Sequence, residues 1–445
     1  MSLQFQAHWL VAIAMWSALA PAIAQPATND PDMLTLASAQ RLAVERNWDL
    51  LAAKSGADSA EAQLLVAKEF PNPTVGWNTY KIGTSEAGTS LGNGILARNY
   101  DTIASVNQLI EIAGKRKDRQ EAARQGVLGS KARFLDAKRT LEQGVTKAYV
   151  AALLADENER VLHESADYMR HEQQIAEVRF KAGDLADSDL KQIQVAAEQY
   201  ALQGQAAEVA AVQAKTAVEI LLGVPQPTGH WQAADSLAQV SDAATPASNA
   251  ASETNVPSNA LRPDVLAAKT DLRSAEENLK LARAMRVPDP TISLGYEHEP
   301  PGGGPPVDTL NIGLSFPLPI WNQNKGAIDG ARAAVEQSRL ALAKLRAQMA
   351  SDLVNAQAAF DEASSRLKRY REQIAPQSAS ARASVIFKFD KGGATLVDLL
   401  EAERADNDVR LAMAQARSDT ASTAADLTAA SSTLTETELN LETRK

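Results

Sequence analysis

Asp398 and Glu401 stand three residues apart in Val397-Asp398-Leu399-Leu400-Glu401. In a helix that spacing puts both carboxylates on one face. The chemistry open to them is electrostatic: they attract cations and repel anions. On these residues alone, the ordinary reading is a solvated pair on an outer helix face. His163, Asp167 and His171 fall at i, i+4 and i+8, but the third member is two turns from the first, ill-placed for a compact ligand set. They read as helix-surface residues. His298 lies between Glu297 and Glu299 at a hairpin tip. The chain has five histidines and no cysteine. No Ser-His-Asp arrangement, phosphate loop or paired-cysteine site occurs, so neither an enzyme nor a cofactor is expected, and no metal site of the chain's own.

The elements that carry these residues occur twice. Asp49-Leu50-Leu51-Ala52-Ala53-Lys54 returns as Asp264-Val265-Leu266-Ala267-Ala268-Lys269. Ser59-Ala60-Glu61 returns as Ser274-Ala275-Glu276, and Pro71-Asn72-Pro73 is echoed by Pro288-Asp289-Pro290. Phe180-x-x-Gly183 with Asp189-Leu190 reappears as Phe389-x-x-Gly392 with Asp398-Leu399. Landmarks in the same order over such long stretches mark duplication of a whole structural unit, not the 20–50-residue period of a solenoid. The expected units are residues 35–225 and 261–432. Between them lies a linker at 226–260, rich in Ala, Ser, Thr, Asn and Pro, and residues 433–445 form a polar tail.

Charged residues make up 22% and aromatics 5% of the chain, a profile of extended helices. The net charge of −10 argues against a nucleic-acid partner, which calls for a basic stripe. Residues 1–24 contain no Asp, Glu, Lys or Arg; an apolar run from Trp9 to Leu19 leads to Ala22-Ile23-Ala24. This reads as an export signal cleaved near Ala24. With no cysteine there is neither a disulfide framework nor a lipid-attachment site.

Helical spacing runs from Thr35 to Glu69, then from near Ile112 to about Val178 without a proline, then from about Leu185 to Leu222. The second copy repeats the scheme at roughly 262–286, 327–387 and 395–432. The long helix, about 100 Å at 1.5 Å per residue, matches the two shorter ones laid end to end, which suits antiparallel coiled-coil packing. Each copy is interrupted by strand chemistry. Ile292, Leu294 and Tyr296 alternate with small or polar residues, as do Leu310, Ile312, Leu314 and Phe316 beyond a Gly/Pro loop. Those hairpins are expected at about 290–317 and, with Val75 and Trp77 and a weaker strand at 100–110, at about 73–110. With one face apolar and the other small and polar, the hairpins fit either a soluble cap on the helices or the wall of a membrane barrel. Four strands cannot close a barrel; three chains would supply twelve.

This layout resembles the TolC family of outer-membrane efflux proteins over about residues 35–432. The segment Gln108-Leu109-Ile110-Glu111-Ile112-Ala113-Gly114-Lys115-Arg116-Lys117-Asp118-Arg119 resembles the Gln…Glu…Gly-Lys-Arg…Arg stretch of its CzcC-like heavy-metal branch. Phe316-Pro317-Leu318-Pro319-Ile320-Trp321-Asn322-Gln323-Asn324-Lys325-Gly326 is similar to that branch's proline-rich corner. The resemblance implies a mainly α fold with a β-barrel part. As a homotrimer it would form a 12-stranded barrel in outer-membrane lipid, continued into the periplasm by an α-helical barrel. It implies a passive exit duct for divalent cations of the cobalt, zinc, cadmium and nickel class, docked on a periplasmic adaptor and an inner-membrane RND pump. Rival readings are the same duct for organic drugs or secreted polypeptide and, in another class, a soluble periplasmic coiled-coil scaffold. The resemblance also assigns places. Asp398 and Glu401 would ring the periplasmic aperture. The turns with Phe180, Gly183, Asp184, Asp189, Phe389, Gly392 and Gly393 would be the adaptor-docking tip. Gln108, Glu111, Gly114, Lys115, Arg116 and Arg119 would form the strand-to-helix corner. The first copy departs at Gln192, where the second acid would stand; Phe389 and Ala394 occupy the places of the family's Tyr and Arg latch.

Overall fold

The computed structural model describes residues 33–80, 101–244, 261–299 and 307–433. The expected export signal, the Gly-rich loop at 83–94, the hairpin loop at 300–306, residues 245–260 of the linker and all but the first residue of the tail lie outside them. Eight helices have their bounds within these residues: α1 Leu36–Arg46, α2 Trp48–Lys68, α3 Lys115–Ala182, α4 Asp187–Leu221, α5 Pro263–Ala284, α6 Lys325–Arg369, α7 Ala375–Asp390 and α8 Leu396–Ser431. Six strands accompany them: β1 Met33–Leu34, β2 Thr74–Tyr80, β3 Asp101–Leu109, β4 Gln232–Ala233, β5 Thr291–Glu299 and β6 Val307–Ser315.

Helix α3, 68 residues long, spans about 100 Å and organises the rest. Near the strands the helices lie side by side in the order α2, α3, α5, α6; further down the order is α4, α3, α8, α7. Thus α3 faces α2 and α4 stacked end to end, as the matched lengths predict. The second repeat echoes this, with α6 and α7 together in the role of the long helix. Between these two a π turn, Tyr370–Ile374, interrupts the expected 327–387 helix. Pro376 offers no N–H to the ladder, and one wide turn absorbs the defect without ending the helix.

The expected first helix is also broken, at Asn47. Its backbone is extended, its Oδ1 accepts from the Leu50 N–H at 3.0 Å to cap α2, and its Nδ2 donates to the Leu221 carbonyl at 3.0 Å. One side chain thereby starts α2 and fastens it to the end of α4. Next to that joint, Gly223 adopts φ +73° with the Arg46 carbonyl only 2.4 Å from where a Cβ would sit, so only glycine fits.

Residues 226–260, expected as a linker, are corrected over 226–244. Strand β4 pairs in parallel with β1, and residues 237–244 are helical. The reason is burial. Trp231 stacks on Tyr149 of α3 with ring centroids 5.7 Å apart, and both rings join Leu34, Val145, Leu153, Val218 and Leu237 in the largest buried cluster. The fully buried Tyr149 hydroxyl donates to the Leu34 carbonyl at 2.8 Å and to Asp235 at 3.1 Å, while Asp235 accepts from the Leu36 N–H at 2.7 Å. Burial, with Asp235 alongside, pushes the phenol's pKa upward, so it stays a donor.

The two hairpins merge into one antiparallel sheet in the order β2-β3-β5-β6. Its rows are uniform across the repeats. Val75, Val106, Leu294 and Ile312 stand in register, as do Trp77, Ala104, Tyr296 and Leu310, on the exposed apolar face. The alternate rows, Gly76-Ser105-Gly295-Asn311 and Thr74-Asn107-Ser293-Gly313, are small and polar.

Tyr149→Phe leaves the Leu34 carbonyl and Asp235 short of a buried donor. Its expected effect is a loss of about 1–2 kcal/mol in unfolding free energy, read as an earlier transition in denaturant melts followed by helical circular dichroism.

Candidate functional site

At the end remote from the sheet, two tight turns meet. After α3, Gly183 takes φ +83° and its N–H donates to the Phe180 carbonyl at 3.0 Å, while the Asp184 N–H donates to the Arg179 carbonyl at 2.9 Å. After α7, Gly392 takes φ +72° and donates to Phe389, and the Gly393 N–H donates to the Lys388 carbonyl at 2.8 Å. Both close helix ends through the left-handed conformation that glycine adopts cheaply. Ala176, Leu190, Ile193 and Leu396 seal the two turns together, with Phe389 packed on them beneath the Arg179 guanidinium. Phe180 and Asp184 remain exposed on the rim, and Asp189 is half-buried beside them.

Asp398 and Glu401 are both exposed, on the side of α8 away from the buried Leu399. Asp398 has a second task that the sequence reading missed. Its carboxylate accepts from the Thr395 N–H at 2.8 Å and the Thr395 hydroxyl at 2.7 Å, closing a capping box at the start of α8. Those bonds, the hydroxyl's foremost, hold its pKa below the usual carboxylate range, so the group keeps its charge. The Thr-x-x-Asp spacing was the signal. In the first repeat Ala186 caps α4 and offers no side-chain oxygen.

At the opposite end, the corner residues converge where the sheet meets the helices. The problem solved there is the set of orphan carbonyls at the ends of α2 and α5. Arg116 Nε donates to the Lys68 carbonyl at 3.0 Å and its guanidinium lies 3.6 Å over the Phe70 ring. Arg119 donates to the Ala67 and Glu69 carbonyls, each at 3.3 Å, and pairs bidentately with Glu111 at 2.6 and 3.0 Å. Gln108 donates to the Pro71 carbonyl at 2.9 Å. Gly114, at φ +78°, starts α3 and frees Lys115 to reach across the duplication. The Lys115 ammonium, almost fully buried, lies 2.5 Å from the Val287 carbonyl and 2.7 Å from Asp289. Asp289 also accepts from the Ile112 N–H at 2.9 Å. The second repeat's counterpart is Asn324, whose Nδ2 donates to the Ala282 carbonyl at 2.8 Å. Asp289 and Asn324 carried no assigned role in the sequence; the Pro-x-Pro echo flagged the first, and the proline-rich corner segment contained the second.

The histidines go elsewhere. His163 packs over Gly204, and Asp167 pairs with Arg170 at 2.6 Å. His298 meets Asp308 at 2.7 Å, not its neighbouring glutamates. Among the described residues no three His, Asp or Glu side chains gather as metal ligands, and no helix is long and apolar enough to cross a membrane.

Residues 40–224 and 257–433 match the family described as outer membrane efflux protein. The chain is 24% identical to the cobalt-zinc-cadmium resistance protein CzcC of Cupriavidus metallidurans over 371 residues, 83% of each chain. Its fold is similar to that of CusC, from a study of transmembrane channel formation, with a TM-score of 0.70 at 18% identity over 89% of this chain and 91% of that one. It is also similar to the CmeC outer membrane channel of Campylobacter jejuni, with a TM-score of 0.69 at 18% identity, covering 89% and 85%.

Arg119→Gln removes the cation from the mostly buried Glu111 and from the end of α2. The expected cost is about 2 kcal/mol, seen as a lowered melting transition. Lys191→Gln, in an exposed pair with Asp187, is the control and should shift it by less than about 0.5 kcal/mol.

Proposed function

This chain belongs to the outer membrane efflux protein family, and we propose that three copies of it close into a duct that carries divalent metal cations out through the outer membrane. The observation that carries this reading is the sheet with two open edges. Among the described residues, strands β2 and β6 have no partner on their outer sides, and the helical layer likewise ends at α2 and α4 on one side and at α6 and α7 on the other. The two edges differ, so copies associate head to tail, and such contacts must close into a ring or run on as a filament. Neighbouring edges meet antiparallel, because β2 and β6 run in opposite directions along the antiparallel sheet. Three copies give twelve strands, within the range of closed membrane barrels. The apolar rows then face lipid and the polar rows face water. A soluble scaffold would leave Val75, Trp77, Leu310, Ile312 and Leu314, all exposed here, against water.

The cargo assignment rests on the likeness to CzcC and on the charged tip. Asp398 and Glu401 of three copies place six carboxylates around the periplasmic mouth, enriching cations there. Thr395 holds the Asp398 pKa down, so that carboxylate keeps its charge in mildly acidic surroundings. The rim formed by Phe180, Gly183, Asp184, Asp189, Phe389, Gly392 and Gly393 is the docking surface for a periplasmic adaptor, which links the duct to a proton-driven inner-membrane pump. The duct itself performs no chemistry; passage is downhill. The leader at 1–24 directs export before the strands insert.

Planar-bilayer recordings of the purified protein test this. Asp398→Asn with Glu401→Gln is expected to lower the cation-over-anion permeability ratio by about threefold or more, while an amide at 398 still accepts from the Thr395 N–H. In cells with the cognate pump, the same pair should weaken zinc and cadmium resistance. Absence of any conductance, or protection confined to organic toxicants, contradicts the reading.

A further inference from the structure

Helix α7 is held by unusual means. It buries no side chain completely, and it packs chiefly on α8 and on its own π turn. Above it lies that π turn with Pro376, a weakened stretch of helical ladder; below it lies the Gly392 turn. What fastens its middle is a polar cluster sunk between α3, α7 and α8. Arg382 of α7 pairs with Glu403 of α8 at 2.7 Å and stands 3.9 Å from Asp406. Its guanidinium lies 5.1 Å over the Tyr168 ring of α3. Ser378 donates to Asp406 at 3.1 Å, and Ser165 of α3 donates to the Asn407 carbonyl oxygen at 2.6 Å. Glu403 is 3% exposed and Asp406 7%.

The cluster is unbalanced. One arginine faces two carboxylates at contact range, and Glu172 of α3 adds a third negative charge nearby. Burying an uncompensated carboxylate is unfavourable unless it takes up a proton. We propose that Arg382, Glu403 and Asp406 form a proton-responsive clamp that seats α7 on the helical layer, tight when Glu403 is protonated and loosened when it is not. With the extra proton, Arg382 and Asp406 balance one another and a neutral Glu403 still packs against Arg382. Without it, the junction carries surplus negative charge that undocking of α7 exposes to water.

The direction of the response follows from linkage. Burial, above all, raises the Glu403 pKa; Arg382 lowers it in part, and Asp406 and Glu172 raise it again. Tyr168 remains neutral, its own pKa also pushed up by burial. A carboxyl that binds its proton more tightly when docked contributes most below its ordinary pKa, and that contribution is lost as pH rises through the docked value. Acid therefore closes the clamp. This goes beyond the duct reading, since it concerns one chain's own helices and needs neither cargo nor conductance.

Hydrogen exchange on the full-length protein in detergent tests it, with rates corrected for the intrinsic effect of pH. Opening of residues 375–390 is expected to rise severalfold between about pH 4, near the ordinary glutamate pKa, and about pH 7.5, while residues 145–153 of α3 stay equally protected at both. Glu403→Gln should hold α7 at its low-pH protection throughout. Asp406→Asn, which leaves one acid for one arginine, should shrink the response. A wild-type α7 indifferent to pH, or a Glu403→Gln protein that keeps the full response, overturns the clamp. Should Glu403→Gln not fold, Asp406→Asn decides: an undiminished response there overturns it equally.

Discussion

An unpaired strand edge inside a lipid bilayer leaves a row of N–H and C=O groups with no water to satisfy them, at several kcal/mol for each group. Among the described residues the sheet has two edges without a partner strand, at β2 and at β6. On the duct reading its apolar rows face lipid, which brings no water to the edges, and its small polar rows cannot fold in to cover them. The edges must therefore find each other in another copy. On the duct reading, that demand ties the register of the copies to the spacing of the helices below.

How a closing sheet hands its geometry to helices is decided at the corner. The helices that enter the sheet, α2 and α5, end with their last carbonyls at the junction, where water is partly excluded. Arg116 and Arg119 gather those of α2, and Lys115 with Asn324 those of the α5 end. A cation at a helix C-terminus also opposes the negative end of the helix dipole. Lys115, Arg116 and Arg119 are thus engaged by the chain's own carbonyls and carboxylates. At the far tip the balance is reversed: apolar side chains bind the two turns to one another, and the acids are left facing outward.

Much of this was readable in the chain itself. Duplication exposed the pairing of α3 with α6–α7, and period-two alternation placed β5 and β6 within a residue or two. The tip glycines announced their turns. What escaped were features made by contacts between distant segments. The break at Asn47 depends on the Leu221 carbonyl, 174 residues away. The seating of 226–244 depends on Trp231 finding Tyr149, and the Ala, Ser and Pro around that tryptophan read as linker. Pairing of β3 with β5 joins two repeats that alternation treats separately. The cluster of Arg382, Glu403 and Asp406 has no local signature, because its charges come from helices whose surface residues look alike. Asp398 was visible as an acid, but its work as a cap was hidden behind its place in a motif.

Lys115 bears on how such a protein could have arisen and what it can no longer do. Two equal copies of an ancestral unit would each tend their own helix ends. Here a residue of the first copy serves a carbonyl and a carboxylate of the second, at Val287 and Asp289, and the first copy's α2 end is tended by different residues. Asp289 in turn accepts from the Ile112 N–H of the first copy, so each half holds the other by a contact with no internal equivalent. Replacing either half by a second version of its sibling would remove that bridge and leave the Lys115 ammonium or the Asp289 carboxylate without its partner.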